Sequence, residues 1–146
     1  MAHILVVEDN PQNLKLTTII LESDGHTVVS AVDSAEANRA LAQRIPDLIL
    51  MDMALPGTDG YTLSRELRSR SETCLLPILG LSAFAMPGDA EKALAAGCSD
   101  YLTKPIRRVV LLERVAALLG SSVGGPASAA LAPVNDGKPT SEVDGP

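Results

Sequence analysis

Aromatic side chains are nearly missing from this chain: 146 residues hold one Phe, two Tyr and no Trp, 2% in all. Without them there is little on which nucleic-acid bases could stack. Positive charge is thinly spread as well. The net charge is −6, and no Lys/Arg cluster exceeds the pair Arg107-Arg108, which argues against direct binding to DNA or RNA. Only two cysteines occur, Cys74 and Cys98, without metal-type spacing. They read as small buried hydrophobes in a reducing compartment. No apolar run approaches the ~20 residues that span a bilayer. The first strand signal begins within three residues of the N-terminus, leaving no space for a signal peptide. These absences predict a cytoplasmic location, with neither membrane nor nucleic acid as a direct partner.

What the chain does have is aliphatic. Apolar residues make up 46%, and they fall into short runs that end in carboxylates. Ile4-Leu5-Val6-Val7 precedes Glu8-Asp9, and Leu48-Ile49-Leu50-Met51 precedes Asp52. Such runs read as buried parallel strands. In an open α/β sheet the carboxyl ends of the strands form the rim where ligands bind. Acids converging there repel one another unless a cation holds them, and hard oxygen donors with room for water suit Mg²⁺.

Strand and helix signals alternate over residues 1–120. After a strand at 4–8, Asn10 caps a helix with Pro11 in its first position. Leu14, Thr18 and Leu21 lie on one face, and Gly25 stops the helix. Thr27 to Ala31 forms the second strand. Ser34 caps a helix reaching about Arg44 with Glu36 in its first turn; Ala37 holds the capping-box position, so the cap is a simple one. The third strand covers 47–52 and is followed by the turn Leu55-Pro56-Gly57-Thr58-Asp59-Gly60. A helix capped by Asp59 then runs to about Arg70, with Leu63 and Leu67 inward. Pro77 opens a strand from Ile78 to Ser82, and an Ala-rich helix ends at Gly97. Asp100 to Thr103 is a short fifth strand, and Lys104-Pro105 turns into a last helix over about 107–119. Five βα units predict a doubly wound parallel sheet with helices on both faces. From Ser121 to Pro146 the composition turns to Gly, Pro, Ser and Ala without apolar periodicity, the mark of a disordered tail or linker.

Four strand ends therefore carry polar residues: Glu8-Asp9, Asp52, Ser82 and Lys104. Together they make a phosphoryl-transfer site. Asp52 can act as nucleophile, because carboxylates form aspartyl phosphates. Glu8, Asp9 and Asp52 can hold Mg²⁺, with Mn²⁺ as a substitute. Lys104 offers a point charge for a phosphoryl oxygen and Ser82 a hydroxyl.

In this order and context the motifs Val6-Val7-Glu8-Asp9-Asn10, Met51-Asp52-Met53, Leu55-Pro56-Gly57, Leu81-Ser82-Ala83 and Lys104-Pro105 strongly resemble the receiver domain of two-component response regulators. The resemblance covers residues 3–119. It implies a flavodoxin-like α/β sheet of strand order 2-1-3-4-5 and a signalling protein that catalyses only its own phosphorylation and dephosphorylation. It also implies that Asp52 takes its phosphoryl group from a histidine kinase or histidine phosphotransfer protein. The backbone carbonyl of Ala54 would join the metal ligands, Ser82 would follow the phosphoryl group, and Tyr101 would change rotamer with it. The bond before Pro105 is typically cis in the family. Glu8 stands where Asp is commoner and Ser82 where Thr is; both keep the functional oxygen.

Two rivals share parts of this pattern. A haloacid-dehalogenase-type phosphatase needs a second acid two residues after the nucleophile, and that position is Ala54. A flavodoxin-like FMN binder needs hydroxyls and free N–H groups after the first strand, where Glu8-Asp9 would repel a phosphate. An interaction module with an unused pocket would be expected to lack part of the site. The chain reads either as a single-domain regulator or as the receiver module of a hybrid histidine kinase or multidomain regulator. Ala54 and Phe84 flank the water route in the family and cannot orient a water, which predicts a long-lived phosphoryl group. The last helix carries Leu111, Leu112, Val115, Ala116, Leu118 and Leu119 on one arc, with Val110 and Ala117 toward solvent. That breadth predicts a docking patch beside Tyr101, on the face of the fourth helix, fifth strand and fifth helix, for a downstream protein or a homodimer.

Overall fold

The computed structural model describes residues 2–83 and 86–120. The expectations for Phe84 and for the segment 121–146 lie outside the described residues. Five strands and five helices alternate among the described residues: β1 (His3–Val7), α1 (Pro11–Ser23), β2 (Thr27–Ala31), α2 (Ser34–Gln43), β3 (Leu48–Asp52), α3 (Gly60–Arg68), β4 (Ile78–Ser82), α4 (Asp89–Ala95), β5 (Asp100–Thr103) and α5 (Arg108–Gly120). All strand pairs are parallel, in the order β2-β1-β3-β4-β5. The doubly wound sheet expected from five βα units is the observed one.

β1, β3 and β4 are buried at every position, which is why they read as unbroken aliphatic runs instead of alternating ones. Successive side chains leave a strand on opposite faces, so each run feeds two cores. Leu5, Val7, Ile49, Met51 and Ile78 meet Ala37 and Leu41 of α2, Leu63 and Leu67 of α3, and Ala93 of α4. Ile4, Val6, Leu48, Leu50, Leu79 and Leu81 meet Ile20 and Leu21 of α1 and Leu111 and Val115 of α5. Each fully buried Leu or Ile is worth about 2 kcal/mol of transfer free energy.

The helix termini follow their side chains. Asn10 accepts the Asn13 N–H at 3.0 Å, Pro11 is the first helical residue, and Gly25 follows α1 at φ 90°. Asp59 caps α3 by accepting the Thr62 N–H at 2.8 Å. α2 departs from the expectation. Its cap is Asp33, which accepts the Glu36 N–H at 2.9 Å, and Ser34 is already helical. The one-residue shift makes Glu36 the third helical residue, and its carboxylate reaches back to the Val32 N–H at 2.9 Å. Glu36 therefore holds the residue before the cap and not the cap's own N–H, so the cap stays a simple one, moved to Asp33.

Three further expectations are corrected. The buried face of α1 uses Thr17, Ile20 and Leu21, and Thr18 is only half-buried. In α5, Val110 packs on the core while Ala116 is exposed; the projecting aliphatic is Val109, 67% exposed. The buried stripe is centred on Leu111 and Val115, which puts Val110 on its edge and Ala116 on the far side. Cys98 is buried as expected, but Cys74 is only half-buried.

At the amino end of the sheet, Arg68 ends α3 and gathers the loops before β4 and β5. Its guanidinium donates to the carbonyls of Leu76 at 2.6 Å, Gly97 at 2.8 Å, and Thr73 and Cys74 at 3.1 Å each, and to the Ser99 hydroxyl at 3.4 Å. It forms no ion pair among the described residues, and burial draws its pKa below the ordinary value.

Candidate metal and phosphoryl site

The strand order reverses direction between β1 and β3, and at their carboxyl ends lies the crevice where ligands bind in such sheets. Glu8 directly follows β1, tied to β2 by its N–H donating to the Ala31 carbonyl at 2.9 Å. Asp52 is the last residue of β3, and the next N–H, of Met53, donates to the Leu81 carbonyl at 2.9 Å. Glu8 and Asp52 are buried, 2% and 4% exposed, while Asp9 is open to solvent. One carboxylate oxygen from each of the three lies within 4.8 Å of the other two.

Lys104, one residue past β5, bridges the two buried acids. Its Nζ lies 2.8 Å from Glu8 Oε1 and 3.4 Å from Asp52 Oδ2. The other oxygens are held by backbone: Glu8 Oε2 accepts the Asn10 N–H at 3.1 Å, and Asp52 Oδ1 accepts the Ala54 N–H at 3.0 Å. Burial, then the adjacent Asp52 carboxyl, push the Glu8 pKa above the ordinary carboxylate value, against the pull of Lys104 and the Asn10 N–H. Burial works against the Lys104 ammonium, yet Glu8 and Asp52 together outweigh it and hold its pKa above the ordinary lysine value. The pocket is shaped for positive charge. Three hard oxygen donors at this spacing, one facing water, also suit a small divalent cation that keeps part of its hydration shell.

Ser82 ends β4 beside them, 9% exposed, and its carbonyl accepts the Lys104 N–H at 2.7 Å. The Lys104–Pro105 peptide is cis. The fold therefore brings Glu8, Asp9, Asp52, Ser82 and Lys104 to one rim, with Ala54 on the loop that follows Asp52. Tyr101 stands apart, in the middle of β5, half-buried against the core on the α3 side, with its hydroxyl buried and unpartnered among the described residues.

One supporting residue was not singled out by its chemistry. A Cβ at Gly60 would lie 2.5 Å from the Asp52 carbonyl oxygen and 2.6 Å from Met53 Cα. Glycine lets α3 begin against the backbone that carries Asp52. The only trace in the sequence was the turn-rich stretch ending at Gly60.

Comparison with known proteins agrees with this geometry. The response regulator receiver domain family matches residues 4–116. Response regulator PleD of Caulobacter vibrioides is 38% identical over 117 residues, covering 80% of this chain. The chain spans only 26% of the length of PleD. The polar-differentiation response regulator DivK of Brucella anthropi is 34% identical over 119 residues, covering 82% of this chain and 97% of DivK. Among solved structures, the receiver domain of sensor histidine kinase PA1611 from Pseudomonas aeruginosa superposes with a TM-score of 0.76 at 40% identity, over 82% of this chain and 98% of that one. That structure has a magnesium ion coordinated in its active-site cleft. No helix among the described residues is long and apolar enough to cross a membrane. With sheet order, strand-end acids and sequence in agreement over residues 4–116, this chain belongs to the receiver domains of two-component response regulators.

Proposed function

We propose that this receiver accepts a phosphoryl group on Asp52 from a phosphohistidine donor, either a histidine kinase or a histidine phosphotransfer protein, in a Mg²⁺-dependent reaction in the cytoplasm. The observation that carries the reading is the cluster of three carboxylates within 4.8 Å of one another, the two buried ones bridged by Lys104. Glu8, Asp9, Asp52 and the Ala54 carbonyl would hold the metal, which when bound supplies the positive charge that lets an anionic phosphoryl group approach buried acids.

The chain's own residues do the rest. The Ala54 N–H fixes one oxygen of Asp52 and so orients the other as the nucleophile. An Asp52 oxygen forms the new bond to phosphorus as the bond to the donor histidine breaks, and the electron pair leaves with the imidazole. Lys104 is close enough to turn from Asp52 Oδ2 to a phosphoryl oxygen. Ser82, at the neighbouring strand end, would donate its hydroxyl to another. The protein thereby performs no turnover on a free substrate beyond its own phosphorylation and dephosphorylation. Tyr101 and the face of α4, β5 and α5 would carry the change to a downstream protein as a population shift.

Intact mass after incubation with Mg²⁺ and acetyl phosphate tests the reading. One phosphoryl adduct is expected, and it should be lost in EDTA and in Asp52→Asn. Labelling of the Asn variant at the wild-type rate would overturn the assignment. The 40% identity to a receiver of a sensor histidine kinase supports a second setting, as a module of a hybrid kinase; the chemistry at Asp52 is the same in both.

A further inference from the structure

At the end of β1 away from the acidic rim, a histidine is buried with its ring unpaired. His3 opens the strand and is 8% exposed. Its backbone is committed to one neighbour: the N–H donates to Asp47 Oδ2 at 2.8 Å, and the carbonyl accepts the Asp47 N–H at 2.7 Å. The imidazole makes no hydrogen bond among the described residues, and its Nδ1 is sealed from solvent. A ring nitrogen closed off without an acceptor is least costly as a bare lone pair, which leaves the proton of the neutral ring on Nε2. Nε2 is the nitrogen that is not sealed, so the ring turns a donor outward.

A cavity of about 200 Å³ lies there, lined by His3 and Leu5 of β1, Val29 of β2 and Ala40 of α2, with the exposed Gln43 and Arg44 at its mouth. His3 and Leu5 leave the strand on the same face, and Leu5 is in register with Val29. Ala40 is the short side chain that α2 turns toward this space. At ~30 Å³ for each water-sized group, the volume suits a ligand of about seven such groups. Its lining has two characters. Leu5, Val29 and Ala40 form an apolar wall, while His3, Gln43 and Arg44 supply hydrogen-bond donors. The Arg44 guanidinium has no acid within ion-pair distance among the described residues. The acid next to His3, Asp47, is already occupied by the His3 N–H.

We propose that this cavity is a second ligand site, at the opposite end of the sheet from Asp52, that takes a small monocarboxylate with a short aliphatic chain. The carboxylate pairs with Arg44 and accepts the His3 Nε2–H, and the Gln43 amide closes over it. The chain lies on Leu5, Val29 and Ala40. An apolar wall with a few convergent donors is the ordinary make-up of a small-molecule site, and hydrogen bonds to an ionised acceptor are the strong ones. The site stands independently of the chemistry at Asp52.

The test titrates sodium isobutyrate into the nitrogen-15-labelled full chain at neutral pH and constant ionic strength, and follows the amide and side-chain resonances. Saturable shifts are expected at His3, Val29, Ala40 and Gln43, with Glu8 and Asp52 unmoved. Isobutyramide, which lacks the charge, should bind about tenfold more weakly. Isobutyrate should weaken by about the same factor in Arg44→Gln and in His3→Leu. Ala40→Leu fills the cavity and should remove the saturable shifts altogether. Shifts that rise without saturating overturn the proposal, as does equal binding of the amide. Equal shifts from sodium chloride would mean a bare anion at Arg44 and overturn it too, and so would undiminished binding in Ala40→Leu. If that variant does not fold, Arg44→Gln and His3→Leu decide, and unchanged affinity in both overturns the site.

Discussion

Two partly buried cations sit at opposite ends of one sheet, and their partners differ in kind. Lys104, at the carboxyl ends, faces two ionised or ionisable carboxylates. Arg68, at the amino ends, faces four backbone carbonyls and a hydroxyl, with no acid among the described residues. The electrostatic outcome is opposite. Carboxylates raise the Lys104 pKa in spite of burial, whereas burial lowers that of Arg68. Carboxylates can change protonation state or partner, but carbonyls of a fixed loop can do neither. One end of the sheet is therefore built to exchange its charge partners, and the other to keep them.

The largest effect is expected at the end that cannot adapt. Arg68→Met should cost about 3 kcal/mol, since several buried carbonyls would be left unpaired together. Urea unfolding measures it, and the folded fraction should still label at Asp52. A loss below about 1 kcal/mol, the range of surface pairs, would make Arg68 no different from an exposed arginine.

Lys104→Met should cost less in EDTA, about 2 kcal/mol, although it breaks a buried ion pair. Glu8 already has a raised pKa and can take a proton to relieve the exposed repulsion. Saturating Mg²⁺ should restore most of that stability, because a ligand that binds only the folded state favours it; no Mg²⁺ effect on the variant would contradict an exchangeable site. The pH dependence has a definite sign. With a folded pKa above the ordinary 10.5, the Lys104 contribution is complete below pH 10.5 and is lost as pH rises through the folded value. The variant should lack that alkaline loss when the two stability curves are subtracted.

The smallest effect belongs to a site outside the comparison and serves as its control. Asp33→Ala removes the α2 cap and should cost about 1 kcal/mol. Its thermal unfolding should shift equally with and without Mg²⁺. A Mg²⁺-dependent shift would mean that α2 is coupled to the acidic rim.

Much of the rim is legible in the sequence. Glu8, Asp9, Asp52, Ser82 and Lys104 were readable because each closes a run whose strand character is unmistakable, and strand ends in a parallel sheet share one edge. The Arg68 hub left no comparable mark. It is one of three arginines in Arg65-Glu66-Leu67-Arg68-Ser69-Arg70, and its acceptors are backbone carbonyls, which every residue type carries. Asp33 and Ser34 are both good caps, so only the extended backbone at Asp33 decided between them. Val109 and Val110 are chemically the same, and the face of α5 that docks on the sheet, centred on Leu111 and Val115, determined which one packs.

By itself, then, the sequence determined the alternation of strands and helices and which acids share an edge, because hydrophobic runs and strand polarity are local properties of the chain. Only the tertiary structure decided which charges touch. That Lys104 reaches both Glu8 and Asp52, that Arg68 meets carbonyls instead of an acid, and that Tyr101 lies against Gly80 depend on contacts between segments far apart in sequence. Such contacts are set by how the layers pack, and no periodicity within a single segment encodes them.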